Sequence, residues 1–144
     1  MKQKKLITRT ATLSIFMGAL IVILGSCNMG PPEGSRGAQA LKGKVHFDKY
    51  CVGCHGADGK GLAVDSLKKK PADLTRITAG RKSTDFPVLE VARMIDGRKM
   101  PAYHGESGMP VWGEVFAQEE LLDESQIKGK LAELIAYLIA IQGS

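Results

Sequence analysis

The chain has 144 residues, room for one domain, and its 44% hydrophobic content suits a small core of the kind that often needs a disulfide, metal or cofactor as a staple. The formal net charge of +5 overstates how basic the folded part is: taking Lys2, Lys4, Lys5 and Arg9 from the 20 basic residues leaves 16 against 15 acidic ones, which argues against a nucleic-acid binder. The three cysteines, Cys27, Cys51 and Cys54, cannot all pair within one chain.

Residues 1–26 have the layout of an export signal: a basic start, an apolar run from Leu13 to Leu24, then small residues. The run is too short for a comfortable membrane span, which takes about 20 residues. Its end, Leu24-Gly25-Ser26-Cys27, resembles the lipobox of bacterial lipoproteins. That resemblance implies cleavage before Cys27, a diacylglycerol on its sulfur, and a membrane-anchored lipoprotein facing the periplasm or the outer side of the cell membrane. The alternative is an uncleaved anchor with Cys27 unmodified, and on either reading the domain is exported and tethered. Residues 27–37, rich in Gly, Pro and Ser, read as a flexible linker, with the domain following over 38–144.

Within the domain, "QALKGKVHFDKYC" (39–51) predicts a helix with Ala40, Gly43, Phe47 and Tyr50 near one face, and His46 turned away into solvent. Gly43 stands out, because a mid-helix glycine costs about 1 kcal/mol relative to alanine; a close helix crossing would justify it. In "STDFPVLEVARMIDGRK" (83–99), Thr84 or Asp85 can cap a helix with Pro87 in its first turn. Val88, Val91, Ala92 and Ile95 then follow one stripe until Gly97 stops it. In "DESQIKGKLAELIAYLIAIQGS" (123–144), Ile127, Leu131, Leu134, Ile135 and Leu138 form the clearest stripe, with Tyr137 at its flank. No stretch reads as a strand, so the fold class is all-α. Residues 57–82 and 98–122 show no convincing period and read as long loops, uncommon in a compact domain unless they serve a site. Three helices enclose little, so something bulky and apolar is expected in the middle. "LKKKPADLTRI" and "GRKSTD" are basic while "GEVFAQEELLDES" is acidic, which gives either a dipolar surface suited to steered docking on a protein partner or ordinary solvated faces.

The motif that decides among cofactors is "CVGCHGADGKG" (51–61). A structural zinc site wants four Cys or His ligands, and beyond Cys51 and Cys54 the domain offers only His46, His55 and His104, without the usual spacing. A thioredoxin-like redox pair needs a βαβ setting that is missing. In Cys-x-x-Cys-His, by contrast, the thiols add to haem vinyl groups as thioethers and the adjacent histidine is held against the iron. One covalent haem c would use Cys51, Cys54 and His55, supply the missing core, and fit an exported protein.

With those residues in place, the domain resembles the class I c-type cytochromes over about 38–143. In that family the first helix carries Gly, then Phe four residues on, then the first haem cysteine four further, the register of Gly43, Phe47 and Cys51. The resemblance implies a cytochrome c fold of three to five helices wrapped around the haem. It also implies a last helix crossing the first with an aromatic ring, here Tyr137, over the glycine. His55 would be the proximal ligand. For the distal position two methionines compete, Met100-Pro101 and Met109-Pro110; "HG…MPVWG" resembles a phrase of a subset of bacterial cytochromes c in which that methionine binds iron, so Met109 is preferred and Met100 is the alternative. Trp112 would donate to a haem propionate or simply pack. Pro71 would offer the carbonyl that accepts from the proximal histidine, and His104 reads as a loop residue.

The function so implied is a membrane-tethered, monohaem electron carrier between exported or membrane-bound redox proteins, tied to the membrane by the lipid on Cys27. It would have no catalytic residues, small-molecule substrate or nucleic-acid partner. The alternatives are a fixed subunit through which electrons enter a larger dehydrogenase or oxidase, and a five-coordinate haem sensor or peroxidase-like protein.

Overall fold

The structure is a computed structural model that describes residues 30–62, 67, 69–79, 81, 85–99 and 108–143. The signal segment, Cys27, Thr84, Met100 and His104 lie outside the described residues. The compact unit that holds the site runs from Glu33 to Ser144. Its elements are α1 (Arg36–Tyr50), α2 (Val52–His55), a 3₁₀ turn (Leu74–Arg76), α3 (Val88–Asp96), α4 (Trp112–Gln118) and α5 (Glu124–Ala140). There is no strand among the described residues, and the all-α expectation holds. None of the described helices is long and apolar enough to cross a membrane.

Helix α1 starts inside the segment expected to be linker, because Ser35 caps it: its side-chain oxygen accepts from the Ala38 backbone N–H at 3.2 Å. An apolar period cannot show a start fixed by one hydroxyl. Helix α5 is started by a reciprocal box. The Asp123 carboxylate accepts from the Ser125 and Gln126 N–H groups at 2.8 and 2.9 Å, and the Gln126 amide oxygen accepts from the Asp123 N–H at 2.9 Å. All five residues of the predicted stripe, Ile127, Leu131, Leu134, Ile135 and Leu138, are buried.

Helices α1 and α5 cross at Gly43, as expected. A Cβ on Gly43 would lie 1.9 Å from the Glu133 carbonyl oxygen and 2.9 Å from the Tyr137 Cβ. The Glu133 backbone rests on the glycine together with the base of the Tyr137 side chain, whose ring tilts against Phe47 with centroids 5.1 Å apart. His46 is a correction. It is not turned into solvent: its Nε2 lies 2.9 Å from a Glu133 carboxylate oxygen, pinning the same crossing.

Helix α3 buries Val91 and Ile95 and ends where Gly97 takes a left-handed φ of 72° and donates its N–H to the Arg93 carbonyl. Pro87 sits at the cap position, one step before the first turn. The stretch 98–122 is not all loop, because α4 forms within it and buries Gly113 and Phe116. Seven residues are too few to reveal a period, and α4 depends on what it packs against. The stretch 57–82 likewise holds the 3₁₀ turn, where the Asp73 carboxylate accepts from the Thr75 N–H and hydroxyl at 2.9 and 2.7 Å. Phe47, Val91, Ile95 and Phe116 complete the core with the α5 stripe.

Candidate functional site

The motif Cys51–His55 folds as one turn running off the end of α1. Cys51 closes α1 by donating its N–H to the Phe47 carbonyl at 2.8 Å, and its own carbonyl accepts from Cys54 and His55 at 3.2 and 2.8 Å. Three residues apart on a helical turn, the cysteines share a side. Gly56 then takes φ 76°, which reverses the chain. The following loop folds back onto the motif: Gly61 donates to the His55 carbonyl at 2.8 Å and Leu62 to that of Cys54 at 2.9 Å.

This return brings the 71–73 segment against the motif. Gly61 is pressed so close that a Cβ there would lie 2.2 Å from the Pro71 carbonyl oxygen. The Pro71 carbonyl is thus taken up against Gly61, and His55 Nδ1 meets the next carbonyl, that of Ala72, at 3.1 Å. The expectation for Pro71 is corrected by one residue. A carbonyl only accepts, so Nδ1 carries the proton, and the lone pair of Nε2 is the one offered to a metal. Burial lowers the pKa of His55, against the opposing pull of the Ala72 carbonyl, and favours the neutral ring that a metal needs.

Both thiols, Cys51 and Cys54, are free and half-buried. Burial, then the neighbouring Cys54, pushes Cys51 up to about 12, which favours the neutral thiol. Among the described residues no three or more His, Cys, Asp or Glu side chains are grouped so as to hold a metal ion.

Met109 is half-buried and packs on the same apolar core as Cys51, Val52, Leu74 and Ile77. It follows Gly108, whose φ of 73° sets a turn, and precedes Pro110, after which α4 begins. Trp112, at the start of α4, packs on Tyr50 (centroids 5.4 Å, edge-on) and on Phe116 (6.0 Å, stacked). Tyr50 adjoins Cys51, so one aromatic cluster joins the motif's helix to the segment carrying Met109.

A charged cluster beside these rings escaped sequence reasoning. The Glu120 carboxylate accepts from Lys49 at 2.8 Å, from the Tyr50 hydroxyl and from Lys130. Lys130 also lies over the Phe116 ring, 4.7 Å from its centroid. The hydrogen bond from Lys130, then those from Lys49 and Tyr50, hold the Glu120 carboxyl down at about 2. The Ala72 acceptor was equally hidden, because every residue has a carbonyl and sequence does not say which is aimed.

The donor set is therefore two thiols on one turn, an oriented neutral imidazole, and a thioether at the edge of the same core. It fits a covalently attached haem, which Cys51 and Cys54 would hold as thioethers and to whose iron His55 Nε2 and the Met109 sulfur would be the donors. Residues 38–123 match a family model described as cytochrome c oxidase, cbb3-type, subunit III, over more than half of the chain. No curated protein and no solved structure matches the chain.

Proposed function

The chain belongs to the cytochrome c oxidase, cbb3-type, subunit III family, and from that premise we propose that it is a membrane-tethered monohaem cytochrome c passing single electrons between exported or membrane-bound redox partners. The cytochrome c domain itself implies haem c, electron transfer and redox protein partners. When bound, haem c supplies one-electron chemistry, its iron alternating between the ferric and ferrous states.

The observation that carries the reading is the seat of His55. Its Nδ1–H is fixed on the Ala72 carbonyl, which orients the ring and directs the Nε2 lone pair away from that bond. Met109 offers a soft thioether, which favours the ferrous state and raises the potential relative to a second histidine. Were His55 and Met109 both to hold the iron, the haem would serve one-electron transfer without binding a substrate, which supports the carrier reading. Trp112 packs on Tyr50 and Phe116 beside the core, and Met100 is the alternative donor.

Tethering rests on the sequence: the basic start, the short apolar run and Leu24-Gly25-Ser26-Cys27 support a lipid on Cys27 and an exported domain facing the periplasm or the outer side of the cell membrane. The test uses the full chain produced in a bacterium. Haem should stay on the polypeptide through denaturing electrophoresis and be lost in the double variant Cys51→Ala/Cys54→Ala, and the wild-type chain should carry on Cys27 a diacylglyceryl mass that Cys27→Ser lacks. Haem that dissociates from the wild-type chain on denaturation would refute covalent attachment, and a wild-type Cys27 with no added lipid mass would refute the lipid anchor.

The family's description favours a second reading, a fixed subunit through which electrons enter a larger oxidase. A stable complex surviving mild detergent extraction would support it, and a protein released alone supports the carrier.

A further inference from the structure

Residues 99–112 carry both candidate methionines, and the residues on either side of that stretch are fastened together. On the near side, Arg98 directs Nε and Nη2 onto the two oxygens of Asp96 at 2.7 and 2.9 Å, a two-pronged pair closed further by the Arg98 N–H at 3.3 Å. The rest of the guanidinium reaches the start of α5, where Nη2 meets Glu124 at 3.2 Å and Nη1 meets its other oxygen. On the far side lies Gly113, buried and flush with this pair. A Cβ there would fall 2.4 Å from an Asp96 oxygen and 2.5 Å from Arg98 Nε. The fastening is partly shielded, since the Asp96 and Arg98 side chains are only 23% and 27% exposed while Glu124 is 65% exposed.

We propose that Arg98 is a positioning residue: with Asp96, Glu124 and Gly113 it clasps the base of the methionine-bearing stretch and so holds the thioether in ligating position. The inference rests on the reading that a methionine of this stretch binds the haem iron. A planar guanidinium fits here because it can grip two carboxylates at once, which a lysine cannot do with a fixed fork. Gly113 fits because any side chain would push the far side of the stretch off the pair. The clasp acts the same way whether Met109 or Met100 is the ligand.

The test uses the full, haem-loaded chain and compares Arg98→Gln, Arg98→Lys, Gly113→Ala and Glu124→Gln. Arg81→Gln, which removes the exposed two-pronged pair with Glu90 at 2.8 and 3.0 Å, is the control for a merely structural salt bridge. Readouts are the far-red methionine-to-iron band of the ferric protein, carbon monoxide affinity of the ferrous protein, and helix content by circular dichroism. Arg98→Gln and Gly113→Ala should keep their helices, weaken the band, and raise carbon monoxide affinity about tenfold, the equivalent of one lost charged hydrogen bond. Arg98→Lys should fall between them and wild type, and Arg81→Gln should match wild type. If Arg98→Gln does not fold, Glu124→Gln removes only the exposed arm and should show a smaller effect in the same direction. Folded Arg98→Gln and Gly113→Ala proteins with a wild-type band and wild-type carbon monoxide affinity would overturn the clasp. A band that neither Met109→Ala nor Met100→Ala removes would overturn it differently, by showing that there is no thioether to position.

Discussion

The α1–α5 crossing and the surroundings of α4 sit on the same core but are held by different forces. At the crossing a glycine lets a backbone carbonyl settle into α1, and Phe47, Leu134 and Leu138 close over it, all at most 4% exposed. Around α4 the contacts are charged: Glu120 gathers Lys49, Tyr50 and Lys130, and Arg98 joins Asp96 to Glu124 against Gly113. Apolar burial gives stability that does not depend on pH, whereas charged contacts give direction and tie stability to pH. The crossing is thus closed chiefly by apolar packing, with the His46–Glu133 contact beside it, while the surroundings of α4 are fastened by groups that acid can release.

The sharpest way to break this contrast is at Phe47. Phe47→Ala should cost about 4 kcal/mol, measured by urea unfolding, because the ring is buried against Tyr137 and its loss leaves a cavity. Gly43→Ala should come next, at about 3 kcal/mol despite alanine's better helix propensity, since the new methyl meets the Glu133 backbone at 1.9 Å. The Phe47→Ala loss should not change between pH 7 and pH 5, because that substitution removes no titratable group.

The charged end should behave differently. The Glu120 carboxyl is held down from the ordinary 4.5 to about 2, so its stabilisation is fully present above 4.5 and is lost as pH falls through about 2. Glu120→Gln should therefore flatten the wild-type fall in stability across that acid window, read as unfolding midpoints at pH 7, 4 and 2.5. An equally steep fall in the variant would place the acid sensitivity elsewhere. Smallest of all should be Arg81→Gln: its pair with Glu90 is solvent-exposed, so the unfolding midpoint should barely move, and salt should shrink the change further.

The same contrast explains what was legible in the sequence. The α5 stripe repeats its apolar residues over about three turns, and Gly43 breaks helix propensity so openly that a crossing was the natural reason. Cys51, Cys54 and His55 are adjacent, so the motif declared its own chemistry. Helix α4 was too short to show a period. Arg98 with Glu124, and Glu120 with Lys49, are ion pairs between distant stretches that no local pattern encodes. His46 looked solvated because its partner, Glu133, lies 87 residues away in the chain. The shift from Pro71 to Ala72 depended on where the Gly56–Leu62 loop returns, which turns on glycine backbone angles rather than on side-chain pattern.

The most direct test of the whole account is an optical spectrum of the matured domain, ferric and ferrous, for the wild type, Met109→Ala and Met100→Ala. The account predicts a far-red methionine-to-iron band in the ferric wild type that disappears only in Met109→Ala, and a ferrous wild type that takes up little carbon monoxide. A wild type with no such band and ready carbon monoxide binding would contradict it, because the iron would then have an open position and the protein would be a sensor or an enzyme instead of a carrier.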